Sequence, residues 1–135
     1  MSDAFRVEVR SVDGGPTALG WGGSVSLVVD RPVDAGGRGL GFNGGQLLNL
    51  AVAGCVSNDL FREAARRGIQ LDRVRVVADS DYGGDPATSS PIECTVEIAG
   101  DAPDAALADL VAYVDAIAEI PNSLRRGTDV RLTRA

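Results

Sequence analysis

Asn43 and Gln46 stand three residues apart at the head of a long apolar run. At that spacing each side chain can accept the other's otherwise unpaired backbone N–H, the reciprocal arrangement that opens a helix. The far end carries Arg66 and Arg67, cations suited to the negative pole of a helix, and then Gly68, the residue best able to take a left-handed stop. These marks predict a single helix of about 24 residues, roughly 36 Å long at 1.5 Å per residue. Its first half, Leu47 to Val56, is apolar on nearly every side, which predicts burial all round and, in a small domain, a second chain covering one side. Its second half is amphipathic, with Leu60, Phe61, Ala64 and Ala65 set against Asp59, Arg62, Glu63 and Arg66.

The remaining sequence has to build around that helix, and it does so mostly with strands. Phe5, Val7 and Val9 alternate with Arg6, Glu8 and Arg10, the period-two pattern of a half-buried strand. Asp13 to Pro16 reads as a turn, Val25 to Val29 as a second strand, and the Gly-rich stretch from Ala35 to Gly41 as a loop that admits a short strand. After Gly68 the alternation returns around Val74 and Val76. A turn-rich stretch from Tyr82 to Pro86 follows, and then a strand with Ile92, Cys94, Val96 and Ile98 on one face and Glu93, Thr95 and Glu97 on the other. Pro103 to Glu119 forms a second helix with Leu107, Leu110, Val111, Val114 and Ile117 as its apolar stripe. Pro121 breaks it, Asn122 to Arg126 adds a short turn, and Val130 with Leu132 suggests a closing strand. The expectation is one α+β domain over residues 1–135, with antiparallel sheets packed on a buried central helix and a second helix.

Composition narrows the chemistry. All 13 basic residues are arginine, with no lysine and no histidine. That absence removes a Walker-type phosphate loop, a Schiff-base lysine, a Ser-His-Asp triad and any histidine-ligated metal. Carboxylates and two distant cysteines are a poor zinc set, so neither a metal nor a cofactor is expected. A net charge of −6 with no basic tract longer than an arginine pair argues against nucleic acid and anionic membrane as partners. The N-terminus alternates apolar and charged residues where a leader peptide would run apolar, and two cysteines make no disulfide framework; a reducing, cytoplasmic location is the expectation.

With histidine and lysine gone, a cysteine is the available nucleophile. Cys55 lies about three turns into the helix, where the dipole has faded; Asp59, one turn on, disfavours its thiolate, and Arg62, two turns on, favours it. On residue chemistry alone a core thiol is the simpler reading, since free cysteine is among the most buried residue types. Gly54 beside it weakens the helix by about 1 kcal/mol relative to alanine, which suggests that another group approaches closely there. Cys94, on the apolar face of its strand, likewise reads more simply as a core residue.

The segment Gly45-Gln46-Leu47-Leu48-Asn49-Leu50-Ala51-Val52-Ala53-Gly54-Cys55 resembles the hallmark of the OsmC/Ohr family, the osmotically inducible and organic hydroperoxide resistance proteins. In that family a Pro-Glu-Glu/Gln-Leu-Leu segment opens a central helix that runs into Ala-(Ala/Gly)-Cys. The order of elements extends the resemblance over nearly the whole chain. It implies an intertwined homodimer with the central helices enclosed by sheets from both chains, and a thiol peroxidase in which a thiolate is oxidised to a sulfenic acid and resolved by a second cysteine. Cys55 takes the place of the peroxide-attacking cysteine. Other parts depart from the pattern: alignment on Asn122-Ser123-Leu124 puts Ala118 at the resolving position, and Gly45 stands where the family has a glutamate. The stretch Asp13 to Gly23 lacks the family's thiolate-holding arginine, leaving Arg10 and Arg38 at its borders as substitutes. Cys94 can act as resolver only if its Cα comes within about 7 Å of that of Cys55.

Two functions follow as expectations. One is a homodimeric, thiol-dependent peroxidase acting on organic hydroperoxides, with Cys55 as nucleophile, Arg38 or Arg10 supporting the thiolate, and an external thiol as reductant. The other is a dimer of the same fold that binds a small apolar ligand around Cys55 without turnover.

Overall fold

The computed structural model describes residues 5–135. The reciprocal cap forms as its spacing requires: Asn43 N donates to Gln46 Oε1 at 3.0 Å, and Gln46 N donates to Asn43 Oδ1 at 2.9 Å. Helix α1 then runs over Gly44–Arg66. It stops at Gly68, whose φ of 69° is open to a residue without a Cβ. There Gly68 N donates to the Ala65 carbonyl at 3.1 Å and Ile69 N to the Ala64 carbonyl at 2.9 Å, the paired closure that satisfies the last free carbonyls.

The chain divides into two compact units, one ending at Leu48 and the other beginning at Asn49. In the first, strands β1 (Glu8–Ser11), β2 (Ala18–Gly22) and β3 (Val25–Val29) form an antiparallel meander in the order β1-β2-β3. Glu8 pairs with Trp21, and Trp21 in turn with Ser26. The middle strand is one that the sequence pattern missed, because Gly20, Trp21 and Gly22 break the apolar alternation; backbone pairing to both neighbours makes it a strand. The first strand is also shorter than expected. Phe5 and Val7 precede it, and Val7 and Val9 stand 73% and 56% exposed, so the expected apolar face is bare.

The Gly-rich stretch is held by one carboxylate. Asp30, 3% exposed, accepts from Arg31 N, Arg38 N, Leu40 N and the Thr17 hydroxyl. A 3-10 turn at Val33–Ala35 leads into this loop, and Phe42 rejoins β3 through an isolated bridge to Val29. A Cβ on Gly41 would collide with the Val28 carbonyl, so the loop closes on β3 more tightly than any side chain permits.

In the second unit, β4 (Leu71–Asp79) pairs antiparallel with β7 (Glu93–Gly100), and a small hairpin of β5 (Tyr82–Gly83) and β6 (Thr88–Ser89) occupies the expected turn. Helix α2 covers Asp104–Ile117. Val56, Leu60 and Ala64 of α1 pack with Leu71, Leu107, Leu110, Val114 and Ala118, and Val74, Val76, Val96 and Ile98 close the sheet side. The Asn49 amide donates to the Ala78 carbonyl at 3.3 Å and to the Ser80 hydroxyl at 3.0 Å, tying α1 to the end of β4. Beyond α2 the chain makes helix α3 (Glu119–Arg125) where only a turn was expected. Pro121 is tolerated because it falls in the first turn, where its missing N–H has no intrahelical role.

Within one chain the first half of α1 is buried on one side only: Val52 and Val56 are buried, while Leu50 is 48% exposed and Ala51 lies open, the side expected to meet a second chain. A Cβ on Gly54 would meet nothing within 4 Å in this chain, so no group of the described residues approaches it closely. The closing strand does not form; Val130 and Leu132 are 77% and 92% exposed with no ladder. Leu50, Val130 and Leu132 thus leave apolar surface that nothing among the described residues covers. Among the described residues no helix is long and apolar enough to cross a membrane.

Removing the N-terminal cap should be felt locally. Asn43→Ala is expected to destabilise the protein by about 1 kcal/mol and to raise amide exchange in the first turn of α1. Unchanged melting and exchange would show that the cap is dispensable.

Candidate functional site

Cys55 lies on α1, half-buried, its side chain against the cluster built on Val56 and Leu60. One turn further along the helix the expected faces hold for Leu60 and Ala64, which are buried, and for Arg62 and Arg66, which are exposed, but not for their neighbours. Asp59 and Glu63, expected on the wet face, are 6% and 5% exposed, whereas Phe61 is 50% exposed and Ala65 is open. The reason is electrostatic pairing along the helix, where residues three and four apart are neighbours. Arg62 Nη1 lies 3.2 Å from Asp59 Oδ1, Arg62 Nε lies 3.1 Å from Glu63 Oε1, and Arg66 Nη1 lies 2.8 Å from the same Glu63 oxygen. A hydrogen bond to Glu63 and the charges of Asp59, Glu63 and Glu119 of α3 raise the Arg62 pKa against a smaller opposing effect of burial. The second Asp59 oxygen, Oδ2, is sealed from solvent and has no hydrogen-bond partner among the described residues. Periodicity placed these carboxylates by their polarity; the signal that could have found them is the Asp59-x-x-Arg62-Glu63-x-x-Arg66 spacing, in which each buried acid has an arginine three residues on.

The other predicted residues have their own partners. Arg38 belongs to the first unit, where its Nη1 lies 3.0 and 3.3 Å from the two Asp13 carboxylate oxygens and 3.4 Å from the Thr17 hydroxyl. Arg10, in the same unit, pairs with Glu8 at 2.6 Å and stands over the Trp21 ring at 5.6 Å. Arg10 and Trp21 line a cleft of about 480 Å³ with Arg6, Val7, Glu8 and Gly23. In the second unit Cys94, expected as a core residue, is instead exposed on β7 opposite Ala78, its thiol pushed up by partial desolvation and by the nearby Asp115 carboxylate. Both cysteines are free thiols. Ala118, at the position aligned with a resolving cysteine, is a fully buried core residue at the start of α3. Among the described residues no group of three or more Cys, Asp or Glu side chains is placed to hold a metal.

The arrangement defines a class: an α+β protein of antiparallel strands built with one long, doubly capped helix that carries a single thiol midway. Residues 36–133 match the family model described as OsmC-like protein, and the chain belongs to that family. Solved structures agree in fold. An OsmC-like protein from Mycoplasma pneumoniae superposes with a TM-score of 0.79 at 14% identity, covering 95% of this chain and 91% of that one. An organic hydroperoxide resistance protein OsmC from Legionella pneumophila gives 0.67 at 20% identity, covering 89% and 88%. An organic hydroperoxide resistance protein from Elizabethkingia anophelis, with thiocyanate bound, gives 0.67 at 18%, covering 90% and 87%. No curated protein sequence matches the chain.

The loop carboxylates generate a pH prediction. Burial pushes the Asp30 carboxyl up, but four hydrogen bonds outweigh it and hold the group below 3.8. Asp13 is held below 3.8 chiefly by the hydrogen bond from Arg38, then by Gly15 N. Both values are depressed in the folded chain, so the stability they supply is present above 3.8 and is lost as pH falls through the folded values. Asp30→Asn should therefore melt lower than the parent at neutral pH, and the gap should narrow steadily below about pH 4. A gap that stays constant down to acid pH would contradict this role.

Proposed function

We propose that this protein is a thiol-dependent peroxidase of the OsmC/Ohr type that reduces organic hydroperoxides through Cys55 and serves in oxidative stress defence. The observation that carries the reading is the position of Cys55: it ends the family's helix motif, in a chain that belongs to that family, half-buried beside an apolar cluster that suits an alkyl peroxide. The names of the Legionella and Elizabethkingia relatives point the same way. In the reaction the Cys55 thiolate attacks the terminal peroxide oxygen, the O–O bond breaks, and the alkoxide leaves as the alcohol after taking a proton. Sulfur is oxidised to the sulfenic acid.

With alanine at position 118, regeneration falls to an external thiol, which condenses with the sulfenic acid to a mixed disulfide and water before a second thiol releases Cys55. Cys94 as an internal resolver would replace that first step. A cation favours the thiolate. For Arg38 to supply it, the guanidinium must exchange its Asp13 contact, and for Arg10 its Glu8 contact. No cofactor, metal or nucleic acid enters this scheme, and the compartment that suits a free thiol is the cytoplasm.

The active form in this reading is a homodimer. Its support is the bare apolar surface of a single chain: Leu50 on the Cys55 helix, Val7 just before β1 and Val9 within it, and the strand-patterned Val130 and Leu132. The second reading, an apolar-ligand-binding dimer without turnover, is favoured by the arginines being already paired and by Gly45 and Ala118.

Turnover of cumene hydroperoxide with dithiothreitol separates the two. The parent protein is expected to consume the peroxide, and Cys55→Ser to lose at least about a hundredfold in rate with its fold intact. Cys94→Ser should keep most of the activity. Parent protein with no peroxide consumption above the thiol blank selects the binding reading, and unchanged turnover in Cys55→Ser moves the chemistry elsewhere.

A further inference from the structure

The first unit holds a cleft built around Trp21, a residue with no part in the peroxide chemistry. Its volume of about 480 Å³ falls in the range of small-molecule sites. Strand pairing explains what lines it. Glu8 stands opposite Trp21 and Arg10 opposite Leu19, so Glu8, Arg10 and Trp21 share one face of the meander. Arg6 continues the same alternation, and Val7 and Gly23 complete the lining. Val9, one residue out of step, lies on the opposite face, so covering Val9 does not cover Arg10 or Trp21.

The lining combines a flat apolar wall with cations. Trp21, the chain's single tryptophan, presents an indole surface on which a planar group can stack. Arg10 stands over that ring at 5.6 Å and is steadied by Glu8, which accepts from its Nε at 2.6 Å. Among the described residues the Nη groups of Arg10 make no further hydrogen bond, and the Arg6 guanidinium makes none. A guanidinium carries five N–H donors in a planar fork that matches a carboxylate, so both arginines keep donors for one. Two arginines against one glutamate leave the lining a single positive charge, in a chain whose net charge is −6. That excess suits a monoanion. It disfavours a cationic ligand, for which Arg10 already holds the ring face.

We infer that this cleft is a binding site for a small aromatic carboxylate, with the ring against Trp21 and Val7 and the carboxylate on the Arg10 and Arg6 guanidinium groups. The claim concerns the first unit alone and stands whether or not Cys55 reduces peroxide.

The test uses the full-length protein and cinnamate as the probe. One tryptophan gives one indole N–H resonance, so heteronuclear NMR reads the cleft directly. Cinnamate is expected to move that resonance saturably, with a Kd of about 5 mM or tighter, in keeping with a ligand of this size. Cinnamamide keeps the ring without the charge, and acetate keeps the charge without the ring; each is expected to bind at least about threefold more weakly. Arg6 and Arg10 are both exposed, so Arg6→Gln and Arg10→Gln should fold as the parent does and each weaken cinnamate by at least about threefold. An indole resonance that does not move, or that shows no saturation at that affinity, overturns the inference. So does cinnamamide or acetate binding as tightly as cinnamate, or an Arg6→Gln/Arg10→Gln double variant with the parent's affinity. If the variants fail to fold, the three-ligand comparison on the parent decides alone. Peroxide turnover enters none of these readouts, so loss of the peroxidase reading leaves the site standing, and loss of the site leaves that reading untouched.

Discussion

The helix that carries Cys55 is hydrogen-bonded shut at both ends, and the order of everything on it follows from that. Asn43 and Gln46 close the first turn reciprocally, and Gly68 with Ile69 closes the last. With both ends fixed, the helix cannot slide in register, so the residues at four- and seven-residue intervals from Cys55 are set as firmly as the cysteine itself. The tie from Asn49 to Ala78 and Ser80 adds a lateral anchor about a turn and a half before the thiol.

The same helix shows how a small acidic protein without histidine or lysine can still stabilise charge. Its buried acids are arranged so that one arginine serves two carboxylates and a second arginine shares one of them. Removing one partner from such a network leaves a charge stranded away from water, which costs far more than the pair contributes when intact. The first unit uses a different solution. Asp30 is satisfied by backbone N–H groups and a hydroxyl, with no cation touching it, and so turns a glycine-rich stretch into a fixed loop. The buried acids of α1 are thus met by side-chain cations, and the buried acid of the first unit by backbone N–H groups and a hydroxyl.

Much of the fold was legible because its signals are local. The cap at Asn43, the stop at Gly68, the stripe of α2 and the alternation of β7 each depend on residues a few positions apart, and each element formed. What escaped the sequence depends on partners distant in the chain or outside it. Strand β2 is a strand because β1 and β3 flank it, although Gly20 and Gly22 are poor strand formers. The bare apolar surface at Leu50, Val130 and Leu132 was read as buried or paired, and a single chain cannot do either. At the site, the motif around Cys55 was visible, but Asp59 and Glu63 were assigned to water because polarity was weighed without the arginines that escort them inward. Asp30, with no motif at all, could not be singled out from sequence.

The central claim is that Cys55 is the sulfur that meets peroxide. It is tested most directly by exposing the reduced protein to one equivalent of cumene hydroperoxide in the presence of dimedone and mapping the adduct by peptide mass spectrometry. The account predicts rapid, near-complete labelling of Cys55, with Cys94 largely unmodified. Labelling confined to Cys94, or no adduct on either cysteine, would contradict it.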